Sequence, residues 1–324
     1  DSVILGATTQ GITMGAGDDT VTYGGAAGTG GSVAAGAGED TIKMTDAQAG
    51  AADADTTFNT TFTGFEILDI TGAIDEDSLN LTTLNGVSQV VLSGAVTGTA
   101  GLSNMASGGT VTLTTAGAST PVLTVGVAGA LTGAADSLTL KLKNASATDV
   151  GVVTATNVET INVSAADATA TGGTAVRHTL DLNADAGYTT VNVSGNNGLV
   201  LIADSTAITS FDASGVVANG TADTAALLAV SNTFGALAAA ATITGGAGND
   251  TLNAAAATKA VTITDDAGAD ILTGSATAAS NISGGAGGDT ITGGAAADVI
   301  DGGAGTDTFV FSSANVVEQA GSST

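Results

Sequence analysis

Within residues 245–310 the chain repeats one nine-residue theme: GGAGNDTLN (245–253), GGAGGDTIT (284–292), GGAAADVID (293–301) and GGAGTDTFV (302–310). Three of the four follow G-G-x-G-x-D-x-U-x, where U is a large apolar residue. Glycine permits φ > 0 and lets main-chain carbonyls come close to a ligand. The aspartate adds a hard oxygen, the donor type that divalent cations of the calcium kind take. The single apolar residue (Leu252, Ile291, Ile300 or Phe309) points inward from a very short strand, because successive strand side chains alternate between faces. The repeats beginning at Gly284, Gly293 and Gly302 follow one another in nine-residue phase. That phase separates them from isolated glycine turns and predicts stacked coils, each burying its apolar residue against its neighbours.

The charge balance agrees with a cation-binding chain. Thirty-one acids stand against five bases, a formal net charge of −26. Such a balance repels nucleic acid and anionic membrane surfaces and favours divalent cations. Folding is therefore expected to depend on metal or salt. Cysteine is absent, which removes disulfides, thiolate metal sites and cysteine nucleophiles together. Forty-eight glycines occur with one proline, unlike disordered low-complexity chains, where proline is abundant. Aromatics are 3%, so the core is expected to be thin and built from Val, Ile, Leu and Ala. The most apolar run, 225–241, is alanine-rich and interrupted by Ser231, Asn232 and Thr233, too short and too weakly apolar to span a bilayer. The start, DSVILGATTQ, shows no signal peptide, and the chain reads as an internal piece of a longer polypeptide.

Taken in order, residues 1–44 carry a weaker form of the theme, MGAGDDTVT (14–22) and AGAGEDTIK (35–43), with Val3, Ile4, Leu5, Ile12 and Val33 as intervening rungs. Asp19 and Asp40 are 40 − 19 = 21 residues apart, the length of one coil of two short strands and two turns. Residues 45–60 read as a loop or insertion. From 61 to 220 short β-branched strands follow, at 67–71, 79–81, 90–92, 111–113, 122–125, 138–142, 158–163, 180–182, 190–193 and 199–202. A sub-pattern recurs in FEILDITGA (65–73), VETINVSA (158–165), TTVNVSG (189–195) and SFDASGV (210–216). Its Asn and Asp residues either stack in ladders or face solvent. A β-sandwich competes with stacked coils for this middle section. Residues 221–241 form the one helix candidate, capped by Asp223 or Thr221, with 242–311 as the repeat region and 312–324 as a tail.

Catalytic signatures are missing. The single histidine, His178, cannot make an H-E-x-x-H zinc site, and its flanks suggest a surface position at a strand edge. There is no G-x-S-x-G elbow and no P-loop. Asp75, Glu76 and Asp77 read as solvated turn acids rather than a glycosidase pair. The chain is expected not to be an enzyme.

The repeats at 245–310, and the weaker ones at 14–43, resemble the RTX (repeats-in-toxin) calcium-binding family exported by type I secretion. The Thr/Ala/Gly-rich remainder looks like bacterial RTX surface-layer proteins and large surface adhesins. The resemblance implies an all-β, right-handed parallel β-roll or β-solenoid with calcium-binding turns, plus one short helix near 221–241. In such a roll two nonapeptides make a coil, and calcium sits between repeats on the same side, held by glycine-loop carbonyls and Asp carboxylates. The residues implied are Gly246, Gly248, Asp250, Asp266, Gly268, Asp270, Gly285, Gly287, Asp289, Gly303, Gly305 and Asp307 on one side. Gly294 and Asp298 fall on the other, and Asp19 and Asp40 in the first coils. Lys259 and Ser280 stand for Asp on the second side, so calcium is expected mainly along the Asp250 side. The resemblance further implies a protein outside the cell, on the bacterial surface, that self-assembles into a sheet or filament and touches cell-surface polysaccharide, with no nucleic acid and no membrane insertion. An adhesin segment that binds glycan, or the secretion and folding module of an enzyme, are the alternatives.

Overall fold

A computed structural model describes the chain apart from residues 7, 27–29, 76–77, 116–121, 130–134, 145, 167–174, 184–186, 220–222, 312–318 and 321–324, and apart from the side chains of 319–320. Thr221, Glu76 and Asp77, singled out above, lie outside the described residues. The chain forms a parallel β-solenoid of about 13 turns. Alternate strands go to different sheets, so each sheet is ordered by every second strand in the sequence. One sheet of 15 strands runs from Ser2–Ile4 to Gln319–Ala320, and one of 11 strands runs from Leu79–Asn80 to Thr308–Val310. Gly11–Ala16, Ser32–Ala37 and Phe62–Thr63 form a third, of 3 strands. Parallel pairing throughout replaces the β-sandwich alternative for 61–220, whose sheets would be antiparallel.

The pattern of each strand explains its place. In Ser137–Lys143 (SLTLKLK), Leu138, Leu140 and Leu142 are buried while Ser137, Thr139, Lys141 and Lys143 face outward. Stacking then joins like to like. Leu138, Ile161, Val191, Phe211, Ile243, Ile263, Ile282 and Ile300 occupy one register column, all buried. A slip of one residue would turn each of these outward, which is why the register holds. The sub-pattern's polar residues do both things expected of them: they face outward, and they stack. Asn162, Asn192 and Asp212 are in register, and Asn192 Nδ2 donates to Asn162 Oδ1 at 2.9 Å.

Towards the C-terminal coils the core narrows. Strands of three residues such as Thr251–Asn253 and Thr290–Thr292 bury one side chain each, Leu252 and Ile291. One large apolar side chain contributes only about 1.5–3 kcal/mol on burial, set against the cost of ordering nine residues. These coils need another source of stability.

Four expectations are revised. Residues 45–60 are folded, with a helix at Asp46–Asp53 and a short one at Phe58–Thr61. Thr45 and Gln48 form a reciprocal capping box, and Phe58 stacks on Phe62 with ring centroids 5.0 Å apart, beside Tyr23. The helix expected within 221–241 shrinks to Ala225–Leu228, followed by the strand Val230–Thr233. The buried Asn232 pins that strand: its Oδ1 accepts from the Ala203 N–H (2.8 Å) and its Nδ2 donates to the Ala203 carbonyl (3.3 Å). Asp223 is no helix cap; it accepts from the N–H groups of Ala175 and Asn219 at 2.8 Å each. His178 is not at the surface. It lies inward on Arg177–Leu182, fully buried, with Nε2 3.1 Å from Asn197 Nδ2.

Candidate cation-binding turns

The strands Thr251–Asn253, Ile271–Thr273, Thr290–Thr292 and Thr308–Val310 are in register, and an aspartate stands immediately before each. The four aspartates interlock from coil to coil. The Asp250 N–H donates to Asp270 Oδ1 (2.7 Å), Asp270 N–H to Asp289 Oδ1 (2.9 Å), and Asp289 N–H to Asp307 Oδ1 (3.1 Å). Asp250 in turn takes the Val230 N–H at 2.8 Å and the Gly246 N–H at 2.6 Å. Each carboxylate thus satisfies at least one backbone donor, and Asp250 two.

Oδ2 of three of these groups, Asp270, Asp289 and Asp307, is buried and unpartnered, and so is Oδ2 of Asp265 and of Asp298. Burial raises the Asp250, Asp289 and Asp298 carboxyls above the usual carboxylate range. Burial, with Asp250 and Asp289 nearby, pushes Asp270 up to about 7. Burial and the charges of Asp250 and Asp270 push Asp265 up to about 9. Buried carboxyls of this kind are held ionised by an opposite charge at close range, and the two ion pairs seen among the described residues lie elsewhere, at Asp1–Asp19 and Lys43–Asp69.

The glycines bring carbonyls to the same edge. Gly287 has φ +150°, and a Cβ there would overlap the carbonyl oxygen of Gly268 in the preceding coil; Gly305 (φ +136°) stands likewise against the carbonyl of Gly287. Gly268 meets the Gly248 carbonyl in the same way, and Gly303 meets that of Gly285. Gly246 lies beside Asp250, whose Oδ2 its N–H satisfies. Among the described residues no three acidic or histidine side chains converge on one point. A cation here would draw on one or two carboxylates together with main-chain oxygens. Hard oxygens alone, several of them from carbonyls, fit calcium, which takes 6–8 such ligands.

Asp266 and Asp265 are placed differently from the sequence reading. Asp266 is exposed, while its neighbour Asp265 is 4% exposed and accepts the Asp266 N–H at 3.0 Å. Asp266 contributes through its main chain, its carbonyl accepting from the Ala286 N–H at 2.8 Å.

The opposite corner is poorer. Register places Asp298 beside Ser280, and Ser280 beside Val261, so Lys259 lies two residues outside the column assigned to it. Lys259 is exposed and joins no ion pair among the described residues, so it does not occupy a cation position. The Ser280 N–H donates to Asp298 Oδ1 (2.7 Å), and Ser280 Oγ accepts the Ser275 N–H (3.0 Å). Gly294 lies against the carbonyl of Ser275.

In the first coils the same geometry returns. Gly15, Gly17, Gly36 and Gly38 all have positive φ, and Gly36 and Gly38 lie over the carbonyls of Gly15 and Gly17. The Asp19 N–H donates to Asp40 Oδ1 (2.8 Å), the Asp40 N–H to Glu66 Oε2 (2.9 Å), and Asp19 Oδ2 and Asp40 Oδ2 are buried without partners. The amino group of Asp1 also lies on Asp19 Oδ1. Glu66 escaped the sequence reading, as did Glu159, whose Oε2 accepts from the Asp136 N–H at 2.8 Å. The signal was present: each is the acid directly before a strand, in FEILDI and VETINV.

A parallel solenoid whose glycine turns stack buried aspartates in columns is the architecture of a calcium-loaded β-roll. In agreement, four copies of the RTX calcium-binding nonapeptide repeat match residues 240–257 and 279–311. No curated protein matches the chain significantly. The C-terminal coils are RTX calcium-binding repeats, and calcium is their ion. Proteins with such repeats are typically secreted, in keeping with an extracellular setting.

Proposed function

We propose that this chain is a structural, calcium-dependent protein of the bacterial outer surface, without catalysis of its own, that self-assembles into a surface layer or filament. The observation that carries the reading is the column Asp250–Asp270–Asp289–Asp307, in which buried carboxylate oxygens lack partners in the very coils that have the least apolar core. Calcium there acts by neutralising charge and locking turns. Free calcium is scarce inside cells and abundant outside, where modules of this kind bind at about 10⁻⁴–10⁻³ M. The chain would therefore cross the cell envelope unfolded, by type I secretion, and fold on arrival. Self-assembly is supported by the long outward columns of Thr, Ser and Asn on the 15-stranded sheet and by exposed apolar residues among them, notably Val299 at 60%.

On this reading about three ions fill the Asp250 column, at most one sits at Asp298, and a further one is held between Asp19 and Asp40, each by carboxylate and carbonyl oxygens. Anomalous density from crystals grown in calcium would count them, and equal filling of the two C-terminal corners would contradict this distribution. Electron microscopy of the purified chain after calcium addition tests the function. Ordered sheets or fibres are expected. Monodisperse particles at every calcium concentration would overturn self-assembly, and glycan binding by such particles would move the assignment to an adhesin.

A further inference from the structure

Five residues before each column aspartate the chain has glycine in three coils: Gly245 before Asp250, Gly284 before Asp289 and Gly302 before Asp307. In the fourth it has Asp265, before Asp270. The glycines are there for room. A Cβ on Gly284 or Gly302 would overlap the carboxylate of its own Asp289 or Asp307. Asp265 takes the other way out and reaches toward the preceding coil, where its carboxylate fills the space a Cβ on Gly245 would need. It is 4% exposed, Oδ1 accepts the adjacent Asp266 N–H, and Oδ2 has no partner. No lysine or arginine among the described residues pairs with it. Asp270 in the same turn, 1% exposed, also has its Oδ2 buried without a donor, and its carboxyl faces that of Asp289. Two unpartnered carboxylate oxygens from one turn thus lie buried beside Asp250, whereas the Asp289 turn offers one and Asp250 none, both of its oxygens accepting backbone N–H groups.

We propose that Asp265 and Asp270 together make the principal cation site of the column, a paired-carboxylate site that binds calcium before the others. The inference rests on the calcium reading of these turns and deepens it. Affinity in oxygen-ligand calcium sites rises with ligand charge and rigidity, and this turn has one more charge than its neighbours, set in a position fixed by packing against Gly245. An ion here also lies mid-column, so its capture docks the Asp250 and Asp289 coils on either side. The same charge count favours trivalent ions, so terbium should compete with calcium most effectively at this turn.

Calorimetric titration of the chelator-stripped full chain with calcium chloride provides the test. Wild type should show an early tight phase followed by weaker ones. Asp265→Gly restores the residue of the other three turns, and Asp265→Asn keeps the size without the charge. Both should weaken the tight phase at least tenfold and leave the weaker phases in place. Unchanged or tighter binding by Asp265→Gly would overturn the inference. Absence of any calcium binding by wild type would instead defeat the underlying reading. A measurement that needs no variant is calcium titrated into crystals below one equivalent. The first anomalous peak should lie within about 2.3–2.6 Å of oxygens from both Asp265 and Asp270, and a first peak elsewhere in the column would refute the assignment.

Discussion

At the scale of single residues, the turns are governed by steric limits and by charge. Gly287 illustrates the first. Its φ of +150° is a region that only glycine occupies freely, and its α-carbon faces the carbonyl of Gly268. Backbone strain of that kind costs about 1–3 kcal/mol, and the overlap adds to it. Gly287→Ala is expected to lower the melting temperature in saturating calcium by several degrees and to weaken calcium binding; a melting temperature equal to wild type would contradict the coil contact. Asp265 and Asp270 illustrate the second. Their folded carboxyls are raised to about 9 and about 7, from an ordinary value of 3.8. Without metal, the folded chain therefore holds more protons than the unfolded chain across that window, and stability falls as pH rises through it. In chelator the C-terminal coils should therefore melt as a folded unit only near about pH 5, where these groups are protonated, and lose that transition as pH rises toward about 9, while calcium should hold the coils folded across the range with the same groups ionised. A rise over that range would show that these carboxyls are partnered. The column aspartates are legible in the sequence because they recur at fixed offsets. Asp265 and Asp266, two adjacent acids, look alike in the sequence until strand alternation shows that Asp265 faces in. Counting along the chain puts Lys259 in a column, whereas the paired strands set the column two residues away.

At the scale of elements, period-two alternation made most strands legible, since a coil's core depends on one or a few inward residues. Strands poor in large apolar residues, such as Thr99–Met105 and Asp149–Thr156, carried too weak a pattern and were missed. The helix at Asp46–Asp53 was missed for a related reason: it is alanine-rich, and it buries only Asp46, Ala49 and Ala52. Its capping box, Thr45 to Gln48, was nonetheless written in the sequence. Thr45→Ala removes the cap and should cost about 1 kcal/mol, read as a lower midpoint in urea, while leaving calcium stoichiometry unchanged. Conversely, the apolar spacing in 225–241 suggested a helix, but pairing with Gly198–Ala203 and the Asn232 bonds to Ala203 made Val230–Thr233 a strand. Tertiary hydrogen bonding overrode local propensity there.

For the whole molecule, the solenoid divides by what stabilises it. The middle coils stack two or three inward side chains per strand, as in Ser137–Lys143 and Thr160–Ala166. The three-residue strands of the C-terminal coils stack one each, with carboxylates and carbonyls gathered at their corner. Interactions in a solenoid are between neighbours, so one end can loosen while the rest remains. On the proposed reading, calcium is the condition for the C-terminal coils to be folded, and the apolar core suffices for the middle. Amide hydrogen exchange of the full chain, with calcium and with chelator, measures this directly. Chelator should abolish protection of amides in 245–310 while those in 137–166 and 190–216 stay protected. Equal protection of 245–310 in the two conditions would contradict a structural role for calcium.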